Sequence, residues 1–349
     1  MSQRKNPVRV LVNRAKAWGR RKLRDWFPLS YAKRMGLIVY AKPFNAPSAL
    51  VARLLANGLA IANPPAAESF LAATNYYRFK VYLRPFLTAP VAKTFVPGST
   101  FDQAVELYSF DEELRSFVFG LTTLIELQLR HKMDQRLTTF TGDPFWYLHS
   151  ATYTEYPEFT LKLLRKSLER SKEEFAKHYL GRYHNGIGGP QNFLPPFWIA
   201  SELLTVGQLL YFLMSFDKTF FAHPPSVPPT PNELDALALD FGAFNVGFLQ
   251  KWTEYVRNLR NWCAHHARLW NRHMATPPNL GGHLNKALAV PSQHRLYHSL
   301  VMLRVMLKSV GLPDNIKQTM LSLFAKYPVA SAEKARMGFP ALWDTDPFW

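Results

Sequence analysis

At 349 residues the chain can bury a full core, as one large domain or two packed ones. With 48% hydrophobic and only 19% charged residues it is globular rather than a disordered tail. The formal net charge of +17 points to a polyanionic partner, nucleic acid first and an anionic membrane surface second, and the single cysteine, Cys263, excludes an internal disulfide and fits a cytoplasmic protein.

The charge is concentrated at the start. Residues 1–35 hold Arg4, Lys5, Arg9, Arg14, Lys16, Arg20, Arg21, Lys22, Arg24, Lys33 and Arg34 against Asp25 alone. A block of like charge is either a solvated arm or a grip on RNA or a membrane surface, and its arginine-rich, acid-poor make-up also fits a transit peptide. Arg20, Arg21 and Lys22 are its densest cationic run and the candidate RNA contacts there. No continuous apolar core in the first thirty residues suggests a secretory signal.

Residues 36–100 read as an N-terminal helical subdomain. A short helix over 42–61 closes at Gly58. In "NYYRFKVYLRPF" at 75–86, Tyr76, Tyr77, Phe79, Tyr82 and Phe86 alternate with Arg78, Lys80 and Arg84. Such rings can stack bases, but a core edge explains them better. A larger helical domain follows over 101–327, and its clearest pattern is Phe117, Leu121, Leu124, Ile125, Gln128 and Leu129 at three- and four-residue steps within 101–139. Helices are expected at 157–180 and 197–217. The second lies in "LPPFWIASELLTVGQLLYFLMSF", where Glu202 and Gln208 favour a buried helix over a membrane span. Glycine-rich 181–193 lacks the lysine of a phosphate-binding loop, and proline-rich 223–233 is an exposed connection. Helices resume at 245–272, 291–310 and 313–326, and 328–349 forms a closing segment. The fold class is mainly α.

The stretch "RNLRNWCAHHARLWNR" at 257–272 concentrates the ionisable chemistry. On a helix, Trp252, Tyr255, Val256, Leu259, Trp262, Cys263, His266 and Leu269 form an apolar stripe, while Glu254, Arg257, Asn261, His265, Arg268 and Arg272 form a basic one. His266 then reads as a packed core histidine. His265 lies one turn after Asn261, whose amide can orient the imidazole, and is the candidate catalyst. Cys263 shares the core stripe, which argues against a thiol nucleophile. Adjacent histidines point about 100° apart, and neither a cysteine pair nor an HExxH spacing supplies a metal ligand set. Arg260 sits about 140° from His265 on an ideal helix, so the two meet at one phosphate only through a distortion or across a groove.

Arg260-Asn261-x-x-x-His265 resembles the R-x-x-x-x-H motif of HEPN ribonucleases. The wider pattern resembles the Abi-like abortive-infection family of AbiD and AbiF type, with which bacteria resist phage. Its segments occur in order: "NYYRFKVYLRPF", then "YSFDEELRSFVFGLTTLIELQLR" with D-x-x-LR and IE-x-x-x-R, then "LPPFWIASELLTVGQLL", then "RNLRNWCAHHARLWNR", then "MGFPALW". The likeness spans roughly residues 40–349 and leaves the basic arm outside. It departs at Thr205–Val206, where the family more often has serine and phenylalanine.

The resemblance implies a HEPN-type helical bundle with additional N-terminal helical segments. It implies an endoribonuclease needing no metal or other cofactor, in which the ribose 2′-hydroxyl attacks the adjacent phosphate to leave a 2′,3′-cyclic end. Arg260, Asn261 and His265 would be catalytic; Glu126, Arg130, His266 and Arg268 would support them; Arg257 and Arg272 would hold RNA. Glu126 would pair with Arg260, although an ordinary pair with Arg130 one turn on explains it as well. One motif copy per chain implies a homodimer, and a small regulatory RNA is a further expected partner. The alternative is a non-catalytic RNA-binding or scaffold protein of the same fold.

Overall fold

The computed structural model describes Asp25 and residues 28–41, 43–225, 230–281 and 292–349. Arg20, Arg21 and Lys22, with most of the basic arm, lie outside the described residues. The chain is mainly α-helical, and among the described residues β structure is limited to isolated bridges. No described helix is long and apolar enough to cross a membrane.

The chain forms two compact units, Met1–Ala56 with Asn63–Thr74, and Asn57–Ala62 with Asn75–Trp349. The first contains α1 (Pro28–Arg34), α2 (Pro47–Ala56) and α3 (Pro64–Ala73). Asn63 caps α3 by accepting from the Ala66 amide at 3.1 Å, with Pro64 at the first helical position where a missing N–H costs nothing. Beyond α2, Gly58 takes the positive φ of 88° expected of a residue that ends a helix.

The second unit begins with the short α4 (Tyr76–Phe79) and is organised by α5 (Phe101–Thr141), whose 41 residues span about 60 Å. Thr100 and Gln103 form a reciprocal capping box at its start, and Gly142 in the left-handed region ends it. The expected face is buried at Leu121, Ile125 and Leu129, but Leu124 stays 41% exposed. Phe79 and Tyr82 are in the core, as a core edge requires, whereas Tyr77 is exposed under the ammonium of Lys80.

The helices expected at 157–180 and 197–217 each divide in two. They are α6 (Glu158–Arg170) and α7 (Glu174–Arg182), then α8 (Phe197–Leu203) and α9 (Val206–Ser215). At the second break Thr205 starts α9 with another capping box, its hydroxyl accepting from the Gln208 amide and its own amide donating to Gln208 Oε1. A serine would cap equally well, so the departure from the family pattern at 205 keeps the function of the position. The remaining elements are α10 (Glu233–Asp240), α11 (Val246–Ala264), α12 (Leu296–Ser309), α13 (Ile316–Lys326) and α14 (Pro328–Ala332).

The principal contact is α5 against α11, with α8, α10, α12, α13 and α14 also packed on α5. Leu107, Phe110, Leu114 and Val118 from α5 and Leu249, Trp252 and Leu259 from α11 are fully buried. Each such side chain contributes about 1.5–3 kcal/mol by leaving water.

His298 on α12 is buried, and its Nε2–H donates to the Pro278 carbonyl at 2.7 Å while Nδ1 finds no partner. Burial holds its pKa below the usual histidine value, and His294 adds to the effect. A histidine kept neutral in the fold gives its full contribution above the unfolded value of about 6.5 and loses it as the pH falls below that. Urea midpoints measured from pH 7.5 to 5 should therefore fall more steeply for the wild type than for His298→Gln, which keeps an N–H donor without the titration. Parallel curves would contradict this.

Candidate functional site

Asn245 caps α11 by accepting from the Phe248 amide at 3.2 Å, and the helix then buries Trp252, Tyr255, Val256, Leu259 and Cys263 along the expected stripe. It ends at Ala264, however, eight residues short of the expected end at 272. The His265 amide still donates to Asn261, but the His266 amide reaches Cys263 and the Ala267 amide reaches Trp262. This is a Schellman closure, with His266 at φ 53° where glycine usually sits.

The helix stops because a tertiary acceptor takes the amides that would have extended it. Asp111 Oδ1 accepts from the Leu269 amide at 3.0 Å and the Trp270 amide at 2.6 Å. Its Oδ2 accepts from the Tyr82 hydroxyl and from Arg115 Nη1, both at 2.5 Å. Asp111 is fully buried. Burial pushes its carboxyl up, against Arg115, Tyr82 and the two amides, which all favour the charged form. Burial and Asp111 in turn push the Tyr82 phenol far up, so it remains a donor. Three quoted segments therefore meet at one carboxylate: Tyr82 from 75–86, Asp111 and Arg115 from D-x-x-LR, and Leu269–Trp270 from the arginine-rich stretch.

This closure redistributes the two stripes. His266 is not a core residue: it is exposed beside exposed His265, because the left-handed turn carries it off the helix. Neither imidazole has a hydrogen-bond partner among the described residues, so the Asn261 amide does not hold His265. No hydrogen bond joins Arg260 to His265 either. Arg260, in the last full turn of α11, lies over the Phe119 ring of α5 at 5.6 Å.

Arg268 and Arg272 leave the helix with the loop. Arg272 stacks on Trp262 at 4.2 Å, and its Nε is buried without a partner. Burial pulls the pKa of both guanidiniums down. For Arg268 the neighbouring Arg84 and Arg272 add to this, and Tyr82 and Asp111 oppose it. Among the described residues no carboxylate forms an ion pair with Arg260, Arg268 or Arg272. Arg257 has only a loose one with Glu254, at 3.5 Å. Partly buried guanidiniums in no ion pair among the described residues, on the same helix end and loop as two exposed imidazoles, suit an anion with several oxygens.

Glu126 and Arg130 do other work. Arg130 Nη2 binds Glu126 Oε1 at 2.6 Å and the Leu204 carbonyl at 2.8 Å, while Nη1 binds the Ser201 carbonyl at 2.9 Å. The pair thus satisfies the open carbonyls at the end of α8 and fixes the break before Thr205. Glu126 makes no bond to Arg260. Cys263 is buried, and its thiol is pushed up to about 12 by burial, so it stays protonated at neutral pH and is a poor nucleophile.

His266, which with Asn271 is a non-glycine residue at positive φ, has a measurable consequence. Such a backbone costs about 1–2 kcal/mol for most L-residues, less the greater entropy glycine loses on folding. His266→Gly should raise the unfolding free energy by about 0.5–1 kcal/mol. An unchanged or lower melting temperature would show that the turn is not strained.

Sequence reasoning missed the organiser of the site, Asp111, although its D-x-x-LR motif was the signal. A family model described as Abi-like protein matches residues 69–271, from before Tyr82 to just beyond Trp270. No curated protein and no solved structure matches the chain.

Proposed function

This chain belongs to the Abi-like protein family, which points to abortive infection, and we propose that it acts there as a HEPN-type endoribonuclease that needs no metal. The observation that carries the reading is that Arg260, Arg268 and Arg272, in no ion pair among the described residues, belong to the same helix end and loop as exposed His265. These cations receive the phosphates, and the imidazole is the group of the set that can take or give a proton in general acid-base catalysis.

The reaction transfers the 2′-hydroxyl proton to an imidazole as the 2′-oxygen bonds to phosphorus. The bond from phosphorus to the 5′-oxygen breaks, and that oxygen takes a proton from a second acid. Arg260 stabilises the phosphorane oxygens. A homodimer supplies the second His265 and with it the acid. The product ends are a 2′,3′-cyclic phosphate and a 5′-hydroxyl. Placing a single 2′-deoxynucleotide at a mapped cleavage site tests this chemistry: the substituted RNA should resist cutting at that position, and undiminished cutting there would exclude attack by the 2′-hydroxyl.

A second reading, an RNA-binding protein without catalysis, draws on the fact that no described group orients His265. It requires RNA affinity that falls with salt and is unchanged by His265→Ala.

A further inference from the structure

A groove of about 260 Å3 lies along α11, below the candidate site. Lys251, Glu254 and Asn258 line one side, Thr276 and Pro277 the other, and Tyr255 contributes to its floor. The far wall is fixed to the core: the Trp252 indole N–H donates to the Asn279 carbonyl at 2.9 Å, and His298 Nε2–H donates to the Pro278 carbonyl. The Tyr255 hydroxyl is occupied by Ser299 at 2.8 Å. By contrast, the Asn258 amide and the Thr276 hydroxyl have no partner among the described residues.

The position matters as much as the lining. Glu254 and Asn258 precede His265 by eleven and seven residues, which at 100° per residue puts all three within about 40° on one face. Asn258 lies about 10 Å from His265 along the axis, the length of one to two nucleotides of an unstacked strand.

We propose that this groove holds one base of the bound RNA, a guanine, beside the phosphate at His265. The proposal rests on the ribonuclease reading of the site. An apolar floor with a few converging polar groups is what a splayed-out base requires. Glu254 decides which base. A carboxylate accepts two parallel N–H donors, and of the four bases only guanine presents two adjacent donors, N1–H and the 2-amino group, on its Watson–Crick edge. Lys251 and Thr276 supply donors for the guanine 6-oxygen. The competing contact, Arg257 at 3.5 Å, joins partly exposed side chains and is weak enough to exchange.

The test uses the full chain carrying His265→Ala, so that RNA stays whole, and three labelled hexaribonucleotides followed by fluorescence anisotropy at one fixed salt concentration. They are a uridine hexamer with one central guanosine, the same with inosine, which lacks the 2-amino group, and all uridine. The guanosine hexamer should bind about tenfold more tightly than the uridine one, with inosine between. Adding Glu254→Gln should remove the preference, so that the guanosine and uridine hexamers bind alike. Equal binding of the three, binding of none, or a preference that survives Glu254→Gln would overturn the proposal. Cleavage by the wild type is scored separately. Preference without cutting would leave the groove assigned and the ribonuclease reading refuted, whereas cutting without preference would do the reverse.

Discussion

His265→Ala should slow RNA cleavage by about 10²–10⁴-fold, the range lost when a general acid or base is removed. The protein should remain folded, because the imidazole is exposed and no described group loses a hydrogen bond. The comparison is informative only with both readouts: single-turnover cleavage and a urea midpoint for each protein. Unchanged cleavage by a folded His265→Ala variant would remove the histidine from the chemistry. Where expression arrests growth, the arrest should disappear with the same substitution, because the proposed reaction is the cutting of RNA.

Asp111→Ala should have the largest effect on stability. It leaves Arg115 buried without its counterion, and deprives the Tyr82 hydroxyl and the Leu269 and Trp270 amides of their acceptor. Breaking a buried ion pair from one side costs about 3–5 kcal/mol, a large share of the roughly 5–15 kcal/mol that holds a typical domain folded. Urea unfolding should show that loss, and the Ala267–Trp270 amides should lose protection from hydrogen exchange, because the loop is tied to α5 through this carboxylate. A variant within about 1 kcal/mol of the wild type would show that burial of Leu269 and Trp270, rather than the carboxylate, sets the loop.

These two residues differ in how plainly the sequence declared them. The apolar stripes of α5 and α11 repeat at helical spacing, so the two central helices were legible, with Arg260 and Asn261 on the second and His265 at its end. The end of α11 was not. No glycine or proline stands between Ala264 and Arg272, and a local reading therefore carries the helix through, placing His266 in the core. The acceptor that stops it is 158 residues away from Leu269 in the chain. The break between α8 and α9 has the same kind of cause, since Arg130 binds carbonyls 71 to 74 residues on. In both places a charged group from α5 satisfies backbone groups of a distant segment, which periodicity does not report. That Arg260, Arg268 and Arg272 form no ion pair among the described residues was likewise invisible, because charge in a sequence does not say which acids are near.

The proposed function requires cleavage at this site by the protein's own residues. The measurement that tests it most directly is incubation of RNA with the wild type and with His265→Ala in EDTA, followed by analysis of the product ends. 2′,3′-cyclic phosphate and 5′-hydroxyl ends are expected with the wild type and intact RNA with the variant. RNA that the wild type binds but leaves uncut, or ends that persist with His265→Ala, would contradict it.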